Sequence, residues 1–359
     1  MAKKLRIGII GCGGIATGKH MPSLKTVAQV EMVAFCDVIK DKAEKAAKVF
    51  GTADAKVYED YKDLIGDKSI DVIHVCTPNS SHAEITIASL EANKHVMCEK
   101  PMAKTATEAR AMLAAAKRTD RKLTIGYQNR FNKESQHLRL VTQRGDLGEV
   151  YYARAQAIRR RAVPTWGVFL DAEKQGGGPL IDIGTHALDL TLWLMDNYKP
   201  KYAVGTVYHK LSAKENAANA WGPWDPKKFT VEDSAFGFVV MENGATIVLE
   251  SSWALNSLFV GEAKCVLCGT EAGADMEDGL RINGEELSRL YVKRPELKSG
   301  GVAFYEGSSK SPADMEAHQW IQSILNDTEP VCLPEQALVV TEILEAIYKS
   351  AESGAPVFF

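Results

Sequence analysis

The chain has 359 residues, of which 45% are hydrophobic and 25% charged, with a formal net charge of −3. That length is too great for one ordinary core and points to two domains, and the absence of a basic excess argues against nucleic acid or an anionic membrane as partner. The seven cysteines are odd in number and scattered through apolar runs, which fits a reducing cytoplasm better than a disulfide framework.

The start, MAKKLRIGII, is basic and then apolar, in the manner of a signal peptide. The apolar run is broken by Gly8 and Gly11, and no small-residue cleavage site follows. We therefore read residues 5–10 as a buried strand. No apolar stretch is long enough to span a bilayer. Short apolar runs recur at 31–36, 71–76, 94–98 and 123–126, each typical of a parallel strand buried on both faces. Helical patterns fall between them, at about 14–28, 40–50, 81–93 and 105–118. The last opens with Thr105 and Glu108 at capping-box spacing. Alternation of this kind predicts an α/β doubly wound parallel sheet.

The first strand runs into GCGGIA at 11–16, the G-x-G-x-x-G/A pattern. Gly11 permits a tight turn, Gly13 lets backbone approach a pyrophosphate, and Ala16 lets the helix pack close to the strand. An acid follows at the end of the second strand, Asp37, suited to an adenine-ribose diol and repulsive to a 2′-phosphate. The expected cofactor is NAD rather than NADP. At the next strand end, TPNSSHAE, Thr77 and Asn79 are candidates to line the cofactor. Ser80 or Ser81 serves equally as a helix cap, and His82 equally as a first-turn surface residue. In CEKPMA, Lys100 at a strand end, fixed by Pro101, is expected to point into the crevice that the glycine turn serves.

From about Tyr127 the pattern changes to longer alternating strands at 149–160 and 201–211. Two more flank Glu242-Asn243-Gly244, a hairpin signal, and Asn283-Gly284 reads as a second turn. This half is predicted to be α+β with an antiparallel sheet. Cys265 and Cys268 lie in an apolar strand with no second ligand pair, so packing is preferred to zinc and no metal is expected. The loop 219–229 carries Trp221 and Trp224, which suit either a sugar ring or a subunit or domain contact, with the contact preferred. Gly176, Gly177 and Gly178 lead into a helical pattern with Asp182 and His186 four residues apart, hence on one face. The glycines suit backbone passing close to a ligand.

Taken together, GCGGIA at 11–16, CTPNSSH at 76–82, CEKPMA at 98–103 and GGGPLIDIGTHALDLTLWL at 176–194 resemble the glucose-fructose oxidoreductase/inositol dehydrogenase family (Gfo/Idh/MocA) over nearly the whole chain. The resemblance implies an NAD-binding Rossmann domain (residues 1–126). It also implies a second, α+β domain (127–359) with a large, mostly antiparallel open sheet, for substrate binding and oligomerisation. It implies hydride transfer between nicotinamide and a secondary hydroxyl of a sugar or cyclitol, with Lys100, Asp182 and His186 as the catalytic set. Around these we place Gly14, Ile15, Pro78, His82, Glu99 and Gln128 with the cofactor, and Trp166 with the substrate. A cis Lys100–Pro101 peptide, a homodimer or homotetramer built partly through the second sheet, and a cytoplasmic location complete the expectation. Two other functions remain open: an NAD-retaining glycosidase acting by transient oxidation and elimination, and a non-catalytic NAD-sensing regulator.

Overall fold

The structure is a computed structural model that describes residues 4–297 and 310–359. It divides into two compact units, residues 1–128 with 310–338, and 129–309 with 339–359.

The first unit is built on six parallel strands: β1 (Leu5–Ile10), β2 (Val30–Cys36), β3 (Lys56–Tyr58), β4 (Val72–Val75), β5 (His95–Cys98) and β6 (Leu123–Ile125). Their order across the sheet is β3-β2-β1-β4-β5-β6, so the winding reverses between β1 and β4. Ile7, Ile9, Phe35, Val72 and Met97 are buried from the strands, as continuous apolar runs require. The helices include α1 (Met21–Lys25), α2 (Lys40–Phe50), α3 (Tyr61–Gly66), α4 (His82–Glu91) and α5 (Ala106–Thr119). Thr105 and Glu108 form the expected capping box at the start of α5.

The helix after the glycine turn ends at Lys25, three residues sooner than the pattern at 14–28 suggests. It opens with a π-turn, Ala16–His20. The wider turn brings the neighbours Lys19 and His20 both to the interior, where each is buried. Ala16 is fully buried.

The second unit carries β7 (Val150–Ile158), β8 (Pro200–Tyr208), β9 (Ser234–Met241), β10 (Thr246–Ser252), β11 (Gly261–Gly269), β12 (Ala272–Asp275), β13 (Arg281–Glu286), β14 (Arg289–Lys293) and β15 (Val357–Phe358). They form one sheet in the order β14-β13-β12-β11-β7-β10-β9-β8-β15. Among the described strands of this sheet only β7 and β10 pair in parallel. The helices α6 (Lys133–Gln143), α7 (Ala172–Gln175) and α8 (Thr185–Met195) follow in chain order, and α8 packs on β7 and β11. A buried ion pair joins Arg130, in the turn before α6, to Asp189 of α8 through two bonds of 2.9 and 2.6 Å.

The hairpin at Glu242-Asn243-Gly244 forms between β9 and β10, with Gly244 at positive φ. Asn283-Gly284 is not a turn. Both lie inside β13, paired with Val292 and Tyr291. A Cβ on Gly284 would meet the Tyr291 hydroxyl at 2.6 Å, so this glycine makes room for a cross-strand ring. The chain reverses instead at Leu287 and Ser288, both at positive φ.

The expected range 127–359 for a single second domain needs one correction. Residues 310–338, including α9 (Pro312–Leu325), cluster with the first unit. Trp320 and Ile321 of α9 enter the first unit's core beside Met21, Leu24 and Met97. The last helix, α10 (Pro334–Ser353), starts in the first unit and continues in the second.

Candidate functional site

In the first unit, the reversal between β1 and β4 places the glycine turn beside the end of β4. Gly11 has φ +89°, and a Cβ there would meet the Cys76 carbonyl at 2.6 Å. Glycine is required at this position by conformation and by packing together. At Gly13 and Gly14 an added Cβ would meet nothing within 4 Å, so the protein's own atoms do not impose glycine there. Ile15 is partly exposed beside them.

Asp37 reaches back to this turn. Its Oδ2 accepts the Cys12 N–H at 2.9 Å, and its Oδ1 accepts the Ile39 N–H at 2.9 Å. Each oxygen keeps a further lone pair. The Thr77 hydroxyl, at the end of β4, is buried with no hydrogen-bond partner among the described residues. Pro78 is exposed and leads into a short 3-10 turn in which Asn79 is buried. Gln128 opens another 3-10 turn after β6.

His82 is not a surface residue. It is 1% exposed, and its ring nitrogens lie 2.8 Å from the Pro101 carbonyl and 2.9 Å from the Thr77 carbonyl. It braces the loop after β4 against the loop after β5. Burial pushes its pKa down. Ser81 stands at the N-cap of α4 and makes no side-chain cap bond.

Glu99 is likewise interior, at 5% exposure. Its Oε1 meets Lys19 Nζ at 2.7 Å and His20 Nε2 at 2.8 Å, and its Oε2 accepts the Lys100 N–H at 3.0 Å. Both residues thus brace the loop after β5 from within. Burial alone would raise the Glu99 carboxyl, but Lys19 and His20 hold it well below the usual carboxylate range. Lys19 also pairs with Glu316 of α9 at 3.0 Å, and His20 Nδ1 lies 3.0 Å from His74 Nδ1. Burial drives His74 well below the usual histidine range. None of Lys19, His20, His74 or Glu316 was marked by the sequence pattern. Lys100 itself is half-buried, and its bond to Pro101 is cis, as the resemblance implies.

In the second unit, Asp182 and His186 sit where a π-turn, Leu180–Gly184, runs into α8. Asp182 is 5% exposed, and its Oδ2 accepts the Trp253 indole N–H at 3.0 Å. His186 is half-buried one turn on.

The start of the turn is held by Glu232. Its carboxylate accepts the N–H groups of Gly178 at 2.8 Å and Leu180 at 3.1 Å, and the Tyr348 hydroxyl at 2.8 Å. Burial raises the Glu232 pKa against these bonds. Gly177 and Gly178 also have a reason within the protein itself. A Cβ on Gly177 would meet the Tyr348 hydroxyl at 2.1 Å, and one on Gly178 the Glu232 carbonyl at 2.2 Å. Gly177 makes room for a side chain of the protein itself, and Gly178 for its backbone.

Trp166 is 51% exposed and packs edge-on against Trp221 and Phe169. Of the loop pair, Trp224 is buried, with its indole N–H donated to the Ser212 carbonyl at 2.9 Å, whereas Trp221 stays 45% exposed. Cys265 is buried in β11 and Cys268 is partly exposed.

A parallel sheet in this order, with a glycine turn at the reversal and a carboxylate after β2, is the nucleotide-binding architecture of NAD-dependent enzymes. Comparison with known proteins narrows this. Residues 5–127 match the model described as "Oxidoreductase family, NAD-binding Rossmann fold", and residues 135–275 match the GFO/IDH/MocA C-terminal domain. The chain is 34% identical over 353 residues to the D-glucoside 3-dehydrogenase of Escherichia coli K12, covering 98% of this chain and 97% of that one. It is 30% identical over 197 residues to the inositol 2-dehydrogenase of Salmonella typhimurium, covering 54% of this chain and 56% of that one. The crystal structure of the aldose-aldose oxidoreductase of Caulobacter crescentus, complexed with glycerol, superposes with a TM-score of 0.81 at 24% identity, over 99% of this chain and all (100%) of that one. The chain belongs to the GFO/IDH/MocA family of oxidoreductases, and its first unit carries that family's NAD-binding Rossmann fold.

Proposed function

We propose that the protein oxidises a secondary hydroxyl of a cyclic sugar or polyol with NAD as acceptor, and that Lys100, Asp182 and His186 carry the proton chemistry. The observation that carries this is the Asp182–His186 pair. Asp182 is fixed from below by the Trp253 indole, and the turn that presents the pair is anchored by Glu232.

Removing hydride from a carbinol carbon becomes easier as its hydroxyl loses a proton, so a base is needed. His186 fills that role near neutral pH. Asp182, held in one orientation, binds a neighbouring hydroxyl or orients the imidazole. Lys100 hydrogen-bonds the reacting oxygen and stabilises developing negative charge.

The residues present fit the cofactor. Gly11, Gly13, Gly14, Ile15 and Ala16 form the pyrophosphate turn, Asp37 offers free lone pairs to the ribose diol, and the Thr77 hydroxyl is a buried donor in want of an acceptor. Pro78, Asn79 and Gln128 complete the cofactor side. The nicotinamide, when bound, accepts the hydride.

The full-length similarity to a glucoside dehydrogenase supports the substrate class. No observation favours the NAD-retaining glycosidase or the regulator. The test is a panel of cyclitols, monosaccharides and glycosides with NAD or NADP, read as reduced-nicotinamide absorbance. No turnover on any of them refutes the proposal.

We also propose assembly as a homodimer or homotetramer through the second unit's sheet. Val204 and Phe238 stand half-exposed on β8 and β9 and need cover. A monomeric mass by light scattering refutes this. A cytoplasmic location is supported by seven cysteines that are all free. No described helix is long and apolar enough to cross a membrane.

A further inference from the structure

We propose that Trp166 and Trp221 form a binding corner for a second pyranose ring, so that the substrate is a glycoside of at least two sugar rings. This rests on the sugar-oxidising function proposed above and deepens it.

The two indoles meet edge to face, with ring centres 4.8 Å apart and planes at 83°. They make a floor and a wall at right angles, each about half exposed. The corner is joined to the Asp182–His186 pair of the same unit through packed aromatic rings. The ring centres of Trp166 and Phe169 lie 5.9 Å apart and those of Phe169 and Trp253 6.4 Å apart, and the Trp253 indole N–H donates to Asp182 at 3.0 Å. A ring engaged by Asp182 therefore lies two aromatic contacts away along that path, and a ring in the corner is a different, outer one.

The corner is also held rigid. The Asn219 side chain donates to the Val163 and Gly222 carbonyls at 2.9 and 2.8 Å and accepts the Val163 N–H at 2.8 Å. The Thr165 hydroxyl donates to the Trp221 carbonyl at 2.9 Å. Trp224 roots the same loop in the interior. Such anchoring cuts the ordering cost of binding. Elsewhere, Leu258 and Phe259 are more exposed, at 79% and 83%, yet no other ring packs on Phe259 among the described contacts.

The polar edge suits a sugar as well. The Arg159 guanidinium lies 5.5 Å over the Trp221 ring and is held by Glu262 through bonds of 2.7 and 2.6 Å. A pyranose ring presents an apolar C–H face and a rim of hydroxyls. The indole takes the first, and the planar Arg159–Glu262 pair takes the second.

The test compares wild type, Trp221→Ala and Trp221→Phe on glucose, methyl glucoside, and α- and β-linked glucose disaccharides, with saturating NAD. Wild type is expected to show a lower KM for a disaccharide than for the single rings. Trp221→Ala should lose about tenfold more kcat/KM on that disaccharide than on single rings, mostly in KM, and Trp221→Phe should keep part of the preference. Equal losses on all substrates, or no disaccharide preference in wild type, overturn the proposal.

A second arm needs no turnover: quenching of tryptophan fluorescence by the disaccharide without NAD, expected in wild type and weakened in Trp221→Ala. Quenching with no turnover on any sugar would sink the proposed function and leave the corner standing. Turnover without quenching sinks the corner alone. A change of assembled mass in Trp221→Ala, with sugar preference intact, assigns the corner to a subunit contact and overturns the proposal.

Discussion

His20 Nε2 and the Lys100 backbone N–H bind opposite oxygens of the same Glu99 carboxylate, at 2.8 and 3.0 Å. The π-turn after the glycine loop is thereby tied, through one buried acid, to the residue expected to act on the substrate. Lys19 supplies the countercharge at 2.7 Å.

Glu99→Gln should therefore destabilise the first unit by about 1–3 kcal/mol at neutral pH, because it leaves Lys19 in the interior with only Glu316 of its two charged partners. The pH dependence follows from the direction of the shift. Glu99 binds its proton more weakly in the folded chain than in the unfolded one. Its stabilising contribution is present above the ordinary carboxylate range and is lost as pH falls toward the lower folded value. Urea unfolding at neutral pH and in acid should show a flatter acid decline for Glu99→Gln. An unchanged slope would mean the carboxylate is not ionised in this network.

Cofactor choice depends on Asp37. The enzyme should prefer NAD, and Asp37→Ser with Val38→Arg should move preference toward NADP. Val38 is 87% exposed next to Asp37, so an arginine there has room to meet a phosphate. The measurement is kcat/KM for both cofactors. A wild-type preference for NADP would remove Asp37 from this role.

His186→Ala should lower turnover by roughly 100-fold or more while NAD affinity changes little. Asp182→Asn should keep the fold and disturb substrate binding or orientation. Trp253→Phe retains most of the ring but removes the indole donor, and should cost about tenfold in kcat/KM, the scale of one hydrogen bond to a charged group. Turnover, NAD affinity and thermal melting are needed for each variant. Near-normal turnover in a folded His186→Ala protein would return the helix pair to a packing role.

The Arg130–Asp189 pair is fully buried, at side-chain exposures of 0% and 1%. Asp189→Ala should cost about 3–5 kcal/mol by stranding the guanidinium, and replacing both residues with leucine should cost less than either single change. Denaturant unfolding of the three variants decides this. A double variant worse than both singles would show that the pair stabilises beyond mutual neutralisation.

Much of the first unit was legible because its signals are local. Short apolar runs, a glycine turn and an acid at fixed spacing each report on their own neighbourhood, and Lys100, Asp182 and His186 stand in short motifs. What was hidden is the support. Glu232 lies 54 residues from Gly178, Trp253 71 from Asp182, and Arg130 59 from Asp189. No periodicity carries such pairings, because tertiary packing chooses them. The same holds for Gly177, Gly178 and Gly284. The sequence shows that they lack a side chain, and only the fold shows which atoms take the space, the Tyr348 and Tyr291 rings at Gly177 and Gly284 and the Glu232 carbonyl at Gly178.

The placement of Glu316, Trp320 and Ile321 in the first unit has a consequence for synthesis. When residues 1–128 have left the ribosome, Lys19 still lacks one of its two carboxylates and the core around Met21 lacks an indole. That part of the nascent chain can collapse, yet it cannot close until the second unit's residues 129–309 have also been made. Fragments stopped before residue 310 should emerge sticky and protease-sensitive in their first half, and later addition of a 310–338 peptide should quiet them.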